Sequence, residues 1–407
     1  MAMGAWGGGL ARWLGLRPPE AKASATARVV ALAMQGRAAW TPRNYAALAR
    51  EGFMANAVGY RCVRTIAEAA ASVPWLLYDG ARELDRHPLL ALLARPNPVQ
   101  AGTELAEALY GHLLLAGNGY LEAVELDGAV RELHALRPDR MRAVPGPDGW
   151  PEAYEYSAGG RTVRFDQDRG GRVAPILHLK LFHPANDHYG LSPLEAAARG
   201  IDIHNAAGAW NKALLDNAAR PSGAVVFHGA EPGASLTEEQ FERIRRELAA
   251  SHAGPDNAGR PLVLDGGLDW KPMGLTPKDM DFIDARHAAA REIALAFGVP
   301  PMLLGIPGDN TFANYAEANR TFWRQTVLPL VARTADALSR WLAPAFAGAP
   351  PAGGAPRLWF DADRIEALSA EREALWSRVG AAGFLTVNEK REALGYAPVA
   401  GGDRLDL

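Results

Sequence analysis

Apolar residues recur at three- and four-residue steps through Val58, Cys62, Ile66, Ala69 and Val73, the spacing of one helix face, and Pro74 ends the run. Leu105, Leu109, Leu113 and Leu114 form a second stripe, stopped by Gly117-Asn118-Gly119. Trp75-Leu-Leu-Tyr78 before Asp79-Gly80 predicts a strand and a turn. Further strands are predicted at Tyr120–Glu125, Arg131–Leu136, Tyr154–Ser157, Thr162–Phe165 and Ile176–Lys180, punctuated by Asp127-Gly128 and the Pro145–Gly149 cluster. Ordered structure is expected from about Ala55. Residues 1–25, rich in Gly and Ala and closing on Arg17-Pro18-Pro19, are expected to form a flexible arm, in which Trp6 and Trp13 leave a membrane-surface contact open as a minor alternative.

The pattern then turns helical. Pro193 to Ala218 predicts one helix roughly 39 Å long, with an early face of Leu194, Ala197, Ala198 and Ile201 and a later one of Trp210, Ala213 and Leu214. His204, Asn205 and Gly208 interrupt the stripe, as expected of a helix partnered by other subunits as well as its own core. Strands at Pro221–Phe227, Pro261–Asp265 and Leu268–Lys271, with a helix opened by the capping box Thr237-Glu-Glu-Gln240, predict a small β-α-β-β insert. A second long helix is predicted from about Asp279 to Phe297, with Met280, Ile283, His287, Ala290, Ile293 and Phe297 on one face and a stop at Gly298 before Pro300-Pro301. Met302–Phe312 is expected to be a loop. Asn314–Glu317 has capping-box spacing ahead of a helix through Trp323, Val327, Leu330, Val331, Leu338 and Trp341, which Pro329 should kink. After an Ala347–Pro356 linker, helices are predicted through Leu368, Leu375 and Val379 and from Thr386 to Gly395. The fold class is α+β, without internal repeats.

Composition narrows the function classes. With 407 residues, 48% of them hydrophobic, the chain buries a core of two or three compact units. A net charge of only −3 advertises no electrostatic grip on nucleic acid. Cys62 is the single cysteine, so one chain holds neither a disulfide nor a thiolate metal cluster. No stretch approaches the roughly 20 apolar residues of a membrane span.

Few residue groups suggest chemistry. Asp281, Asp284 and His287 share a helix and suit a divalent ion, but steps of three drift around the helix and His287 lies on the apolar stripe. They carry the alternative reading of a metal-dependent hydrolase or nuclease. His178, His183 and His188 match no metal-binding signature and are expected to bond or pack locally. Gly117-Asn-Gly119 precedes a strand, where a dinucleotide fingerprint must follow one. No Walker-type lysine loop is present, so any step that needs ATP must draw on a partner. Ser192 before Pro193 is expected to be an N-cap.

Four ordered blocks carry a resemblance to a family. They are His87-Pro-Leu-Leu to Arg95-Pro-Asn-Pro98 with Leu113-Leu-Leu-Ala-Gly-Asn-Gly-Tyr-Leu121; Ile176-Leu-His-Leu179 with Tyr189-Gly-Leu-Ser-Pro-Leu194; Arg260 to Gly267 with Glu292-Ile293, Phe297 to Gly305 and Tyr315 to Pro329; and Gly383 to Arg391 with Gly401-Gly-Asp403. The chain resembles the portal proteins of tailed double-stranded DNA phages, and its brief C-terminal region fits the gene-transfer-agent branch. The resemblance implies an arm at 1–25, a wing at 26–192, stem helices at 193–219 and 276–298 flanking a clip at 220–275, a tunnel loop at 299–313, a wing or spine helix at 314–346 and a crown at 347–407. It implies a ring of about twelve copies at one capsid vertex, a conduit for DNA packaging and ejection rather than an enzyme, with no cofactor or metal. Implied partners are the major capsid protein, a head-tail adaptor, the large terminase subunit and duplex DNA. Asp309, Asn310, Thr311, Phe312 and Asn314 are then expected to face DNA in the tunnel loop, and Lys212, Asp216, Lys278, Asp281, Asp284 and Arg291 are candidates for channel or intersubunit positions on the stem.

Overall fold

Helix begins earlier than the apolar pattern predicts, at Tyr45, where the Asn44 side chain caps the first turn. The computed structural model describes residues 40–80, 82–167, 173–216, 223–227, 237–252, 268–272, 282–308, 312–346, 356–396 and 398–405. Backbone contacts divide the chain after Trp40, and the architecture below is that of Thr41 onward. In order the elements are α1 (Tyr45–Ala49), a π turn (Arg50–Met54), α2 (Ala57–Ala71), β1 (Trp75–Asp79), β2 (Arg82–Glu83), α3 (Pro88–Ala94), α4 (Gly102–Ala116), β3 (Asn118–Leu126), β4 (Ala129–Leu136), β5 (Met141–Pro145), β6 (Pro151–Ala158), β7 (Arg161–Asp166) and β8 (Ile176–Lys180). There follow α5 (Pro193–Ala196), α6 (Ala198–Asp216), β9 (Gly223–Phe227), α7 (Glu238–His252), β10 (Leu268–Pro272), α8 (Phe282–Phe297), α9 (Phe312–Phe322), a second π turn (Trp323–Val327), α10 (Leu328–Phe346), β11 (Arg357–Phe360), α11 (Ser369–Ala381) and α12 (Val387–Ala393).

The strands form small antiparallel sheets in the orders β11-β1-β2, β4-β3-β8, β5-β6-β7 and β10-β9. Two apolar clusters organise the molecule. One joins Cys62 and Ile66 of α2 to Leu194, Ile201, Ile293 and Phe297; the other joins Leu105 and Leu109 of α4 to Leu121, Leu133, Leu342 and Leu358. Helices α4 and α10 each send residues into both, Tyr110 and Val331 to the first, Leu113 and Leu338 to the second, and so tie them into one core. Cys62 is fully buried as expected, and burial pushes its thiol up to about 12.

Two resemblance blocks meet at one backbone crossing. Gly117 ends α4 with φ 71°, the left-handed cap that glycine adopts without cost. A Cβ on Gly190 would lie 2.1 Å from the Gly117 carbonyl oxygen, so the two segments touch backbone to backbone. Asn118 fixes the crossing: its Oδ1 accepts from the Gly190 amide at 2.8 Å and its Nδ2 donates to the Ala116 carbonyl at 2.8 Å. Ser192 caps α5 by accepting from the Leu194 amide and donates to the Leu114 carbonyl, both at 2.9 Å. The Gly-Asn-Gly and Tyr-Gly-Leu-Ser-Pro runs are thus the residues that permit and lock this contact.

Several expectations are corrected. The long helix from Pro193 is broken at Ala197 into α5 and α6, and its described part ends at Asp216. Beside Pro329 the helical path opens into the π turn Trp323–Val327, because a proline has no amide hydrogen for the preceding turn, and the Leu328 amide reaches back to the Trp323 carbonyl instead. Helix α9 already runs at Phe312, so Asn314 and Glu317 lie inside it and form no capping box. The segment expected to open a crown includes β11, which pairs with β1 from Trp75↔Phe360 to Tyr78↔Arg357. Strand β5 was masked by its position between Arg140 and the proline cluster, and was missed. Of the inserted module, β9, α7 and β10 are seen, with Thr237 and Gln240 bonding reciprocally, whereas Pro261–Asp265 lies outside the described residues.

Candidate functional site

Helices α6 and α8 run antiparallel and emerge together from the core. Gly200 permits their close approach, since a Cβ there would sit 3.4 Å from the Ala289 carbonyl oxygen and 3.3 Å from the Glu292 carboxylate. One turn on, Arg286 Nε donates to His204 Nε2 at 3.4 Å. Asn56 caps α2 by accepting from the Val58 and Gly59 amides, and its Nδ2 reaches His204 Nδ1 at 3.1 Å and Asn205 Oδ1 at 2.8 Å. Asn205 in turn donates to the Glu51 carbonyl at 3.0 Å. His204 and Asn205 therefore turn inward, toward the chain's own Asn56 and π turn, while Gly208 faces open space. Burial first and Arg286 second lower the His204 pKa.

Only the upper half of α8 is covered. Ala289, Ala290, Ile293, Ala294 and Phe297 are buried, but Ile283 is 65% exposed, so the predicted face is split between core and surface. On α6, Ile203 and Trp210 are 42% and 43% exposed.

The segment after α8 is tightly folded. Gly298 takes φ 68°, Thr326 Oγ1 donates to its carbonyl at 2.6 Å, and Pro301–Leu304 form a 3-10 turn. Ile306 packs against Ala290 and Ala294, and the Arg291 guanidinium donates to the Pro307 carbonyl beneath Gly308. Much of the expected loop is thus a bracket fixed to α8.

Of the expected DNA-facing residues, Asp309, Asn310 and Thr311 lie outside the described residues, and Phe312 and Asn314 are helical. Among the stem candidates, Lys278 and Asp281 lie outside the described residues, Asp216 ends the described part of α6, Lys212 and Asp284 are exposed on α6 and α8, and Arg291 is tied to the bracket. Among the described residues no group of three or more His, Cys, Asp or Glu could hold a metal ion. No described helix is long and apolar enough to cross a membrane. The inward-facing Asn56–His204–Asn205–Arg286 network was missed. Polar residues breaking the stripe on α6 were its only signal, and they name no partner.

His178 stacks on Tyr120 with ring centroids 4.2 Å apart, donates through Nε2 to Asn118 Oδ1 at 2.9 Å and accepts at Nδ1 from the Tyr154 hydroxyl at 3.1 Å. Burial, with Lys180 adding to it, pushes its pKa down to about 3, so this histidine packs the fold.

Known proteins share this sequence and fold. A protein of Rickettsia bellii (strain RML369-C) is 42% identical over 357 residues, 87% of this chain and 90% of its own. The portal protein of Enterobacteria phage HK97 is 26% identical over 356 residues, covering 84% of this chain and 79% of its own. A chain in the neck of a native gene transfer agent particle, computed with C12 symmetry, superposes with a TM-score of 0.68 at 54% identity, covering 92% of this chain and 100% of that one. The family profile described as phage portal protein matches residues 57–395, which take in α2, every described sheet, the α6–α8 pair and the bracket beside it, and the chain belongs to that family.

Proposed function

We propose that this chain is the portal subunit of a gene-transfer-agent-type particle, a ring-former at one capsid vertex through which duplex DNA is packaged and released. The observation that carries this is its 54% identity, over 92% of its length, to a chain in the neck of such a particle. The region before Pro193 with β11 serves as the wing, α6 and α8 as the stem, β9, α7 and β10 as the clip, residues 299–313 as bracket and tunnel loop, α9 and α10 as the spine, and the residues after Phe360 as a short crown. The partners are the major capsid protein, a head-tail adaptor and, transiently, the terminase. Family membership favours a structural subunit over the alternative reading of a metal-dependent hydrolase or nuclease; in our reading the subunit is a passive conduit, and the energy for translocation comes from a partner carrying an ATP-binding loop.

A net charge of −3 suits the task, because each phosphate neutralised by a cation adds affinity and so resists sliding. The test is electron microscopy of the purified protein. Closed rings with a hole wide enough for duplex DNA are expected; assemblies without such a hole would falsify the reading.

A further inference from the structure

A cyclic ring needs two different faces on each subunit, one meeting the other on its neighbour. The α6–α8 hairpin carries two exposed apolar faces at the same height and on opposite sides. His204 meets Arg286, and Gly200 meets Ala289 and Glu292, which fixes the register of the two helices. With about 100° per residue, Ile203, Ala206 and Trp210 gather on the side of α6 turned away from Ile201 and Asn205, the residues that meet the core and the π turn. Ile203 and Trp210 are 42% and 43% exposed there. On α8, Ile283 continues the stripe of Ala290 and Ala294, which Val58 of α2 covers higher up. Ile283 lies beyond that cover at 65% exposure.

We propose that the ring is closed by the Ile203–Ala206–Trp210 face of one subunit packing on the Ile283 face of α8 in a second copy of this chain. The inference rests on the portal reading and adds the residues of the seam. It explains why large apolar side chains remain exposed on a hairpin whose inward side is fully packed.

Rings of a double variant, Ala206→Cys with Ile283→Cys, are to be treated with a short bismaleimide and run on a denaturing gel. Cys62, fully buried, stays unreactive. A ladder of covalent multimers is expected from the double variant, with no step beyond the dimer from either single variant. Intact rings that give only monomer overturn the seam. Independently, Ile203→Asp and Ile283→Asp should each abolish rings while leaving the subunit's melting temperature within a few degrees, whereas Val99→Asp, at a site 84% exposed and far from the hairpin in sequence, should leave rings intact. Rings that survive both hairpin substitutions also overturn it. Absence of rings from the unaltered chain would instead bring down the portal reading, and the seam with it.

Discussion

His178 shows how a side chain that catches the eye in the sequence is used for packing. Its Nε2 must carry the proton, because Asn118 Oδ1 only accepts, and its Nδ1 then takes the Tyr154 hydroxyl hydrogen. A second proton has no place. The folded pKa is near 3 against an ordinary value of 6.5, so between these limits the unfolded chain binds the extra proton and the folded chain does not. The stability this histidine confers is complete above pH 6.5 and falls by about 1.4 kcal/mol per pH unit as the pH drops toward 3. Urea unfolding between pH 6 and 5 should approach that slope, and the slope should be absent in His178→Gln. An unchanged slope in the variant would mean that the acid sensitivity arises elsewhere.

At the scale of elements, glycines with backbone against them should be intolerant, and those facing space should not. Gly190→Ala places a methyl group 2.1 Å from the Gly117 oxygen and 2.6 Å from the Leu181 nitrogen, neither of which can swing aside. A loss of about 3 kcal/mol is expected in denaturant unfolding. Gly111→Ala, in the middle of α4 with nothing within 4 Å, should instead gain about 1 kcal/mol. Equal effects at the two sites would contradict the crossing described here. The same contrast explains what the sequence reveals. Strands β1, β3, β6 and β8 were legible as short runs bounded by turn residues, helices α2 and α4 because a three-four step coincides with burial, and Gly117 and Thr386 signal the caps of α4 and α12 directly. Strand β11 hid behind a Gly/Pro/Ala linker, as its four residues are too few to set a period. The start of α9 was misplaced because Asn314 and Glu317 have capping spacing inside a helix, where the polar pair is simply a solvent-facing side. The polar network at His204 was invisible for a deeper reason: Asn56 and Arg286 are brought to it only by the fold.

For the whole molecule, the bracket limits what the proposed tunnel loop can do. Val299 to Gly308 is held by Ile306, Arg291 and Thr326, and α9 begins at Phe312, so little chain between them is free of the scaffold. Deleting 308–312 should therefore leave rings intact by electron microscopy while impairing DNA packaging or retention. Normally filled, transducing particles would remove this segment from the DNA path. The candidate site was thus legible in outline, as two helices and a loop between Pro193 and Phe312, but its contacts were not, because a pore surface belongs to an assembly and leaves no period in one chain.

The pairing of β1 with β11 has a consequence for how the subunit is made. Leu77 and Leu358 sit opposite each other, both fully buried, and they come from opposite ends of the described chain. During synthesis β1 leaves the ribosome early, with the two-residue β2 as its other partner, and must wait for almost the whole chain to follow. Prematurely terminated fragments thus lack the lid over Leu77. A chain cut short of Phe360 should therefore leave Leu77 uncovered and unfold at a lower denaturant concentration than the full chain.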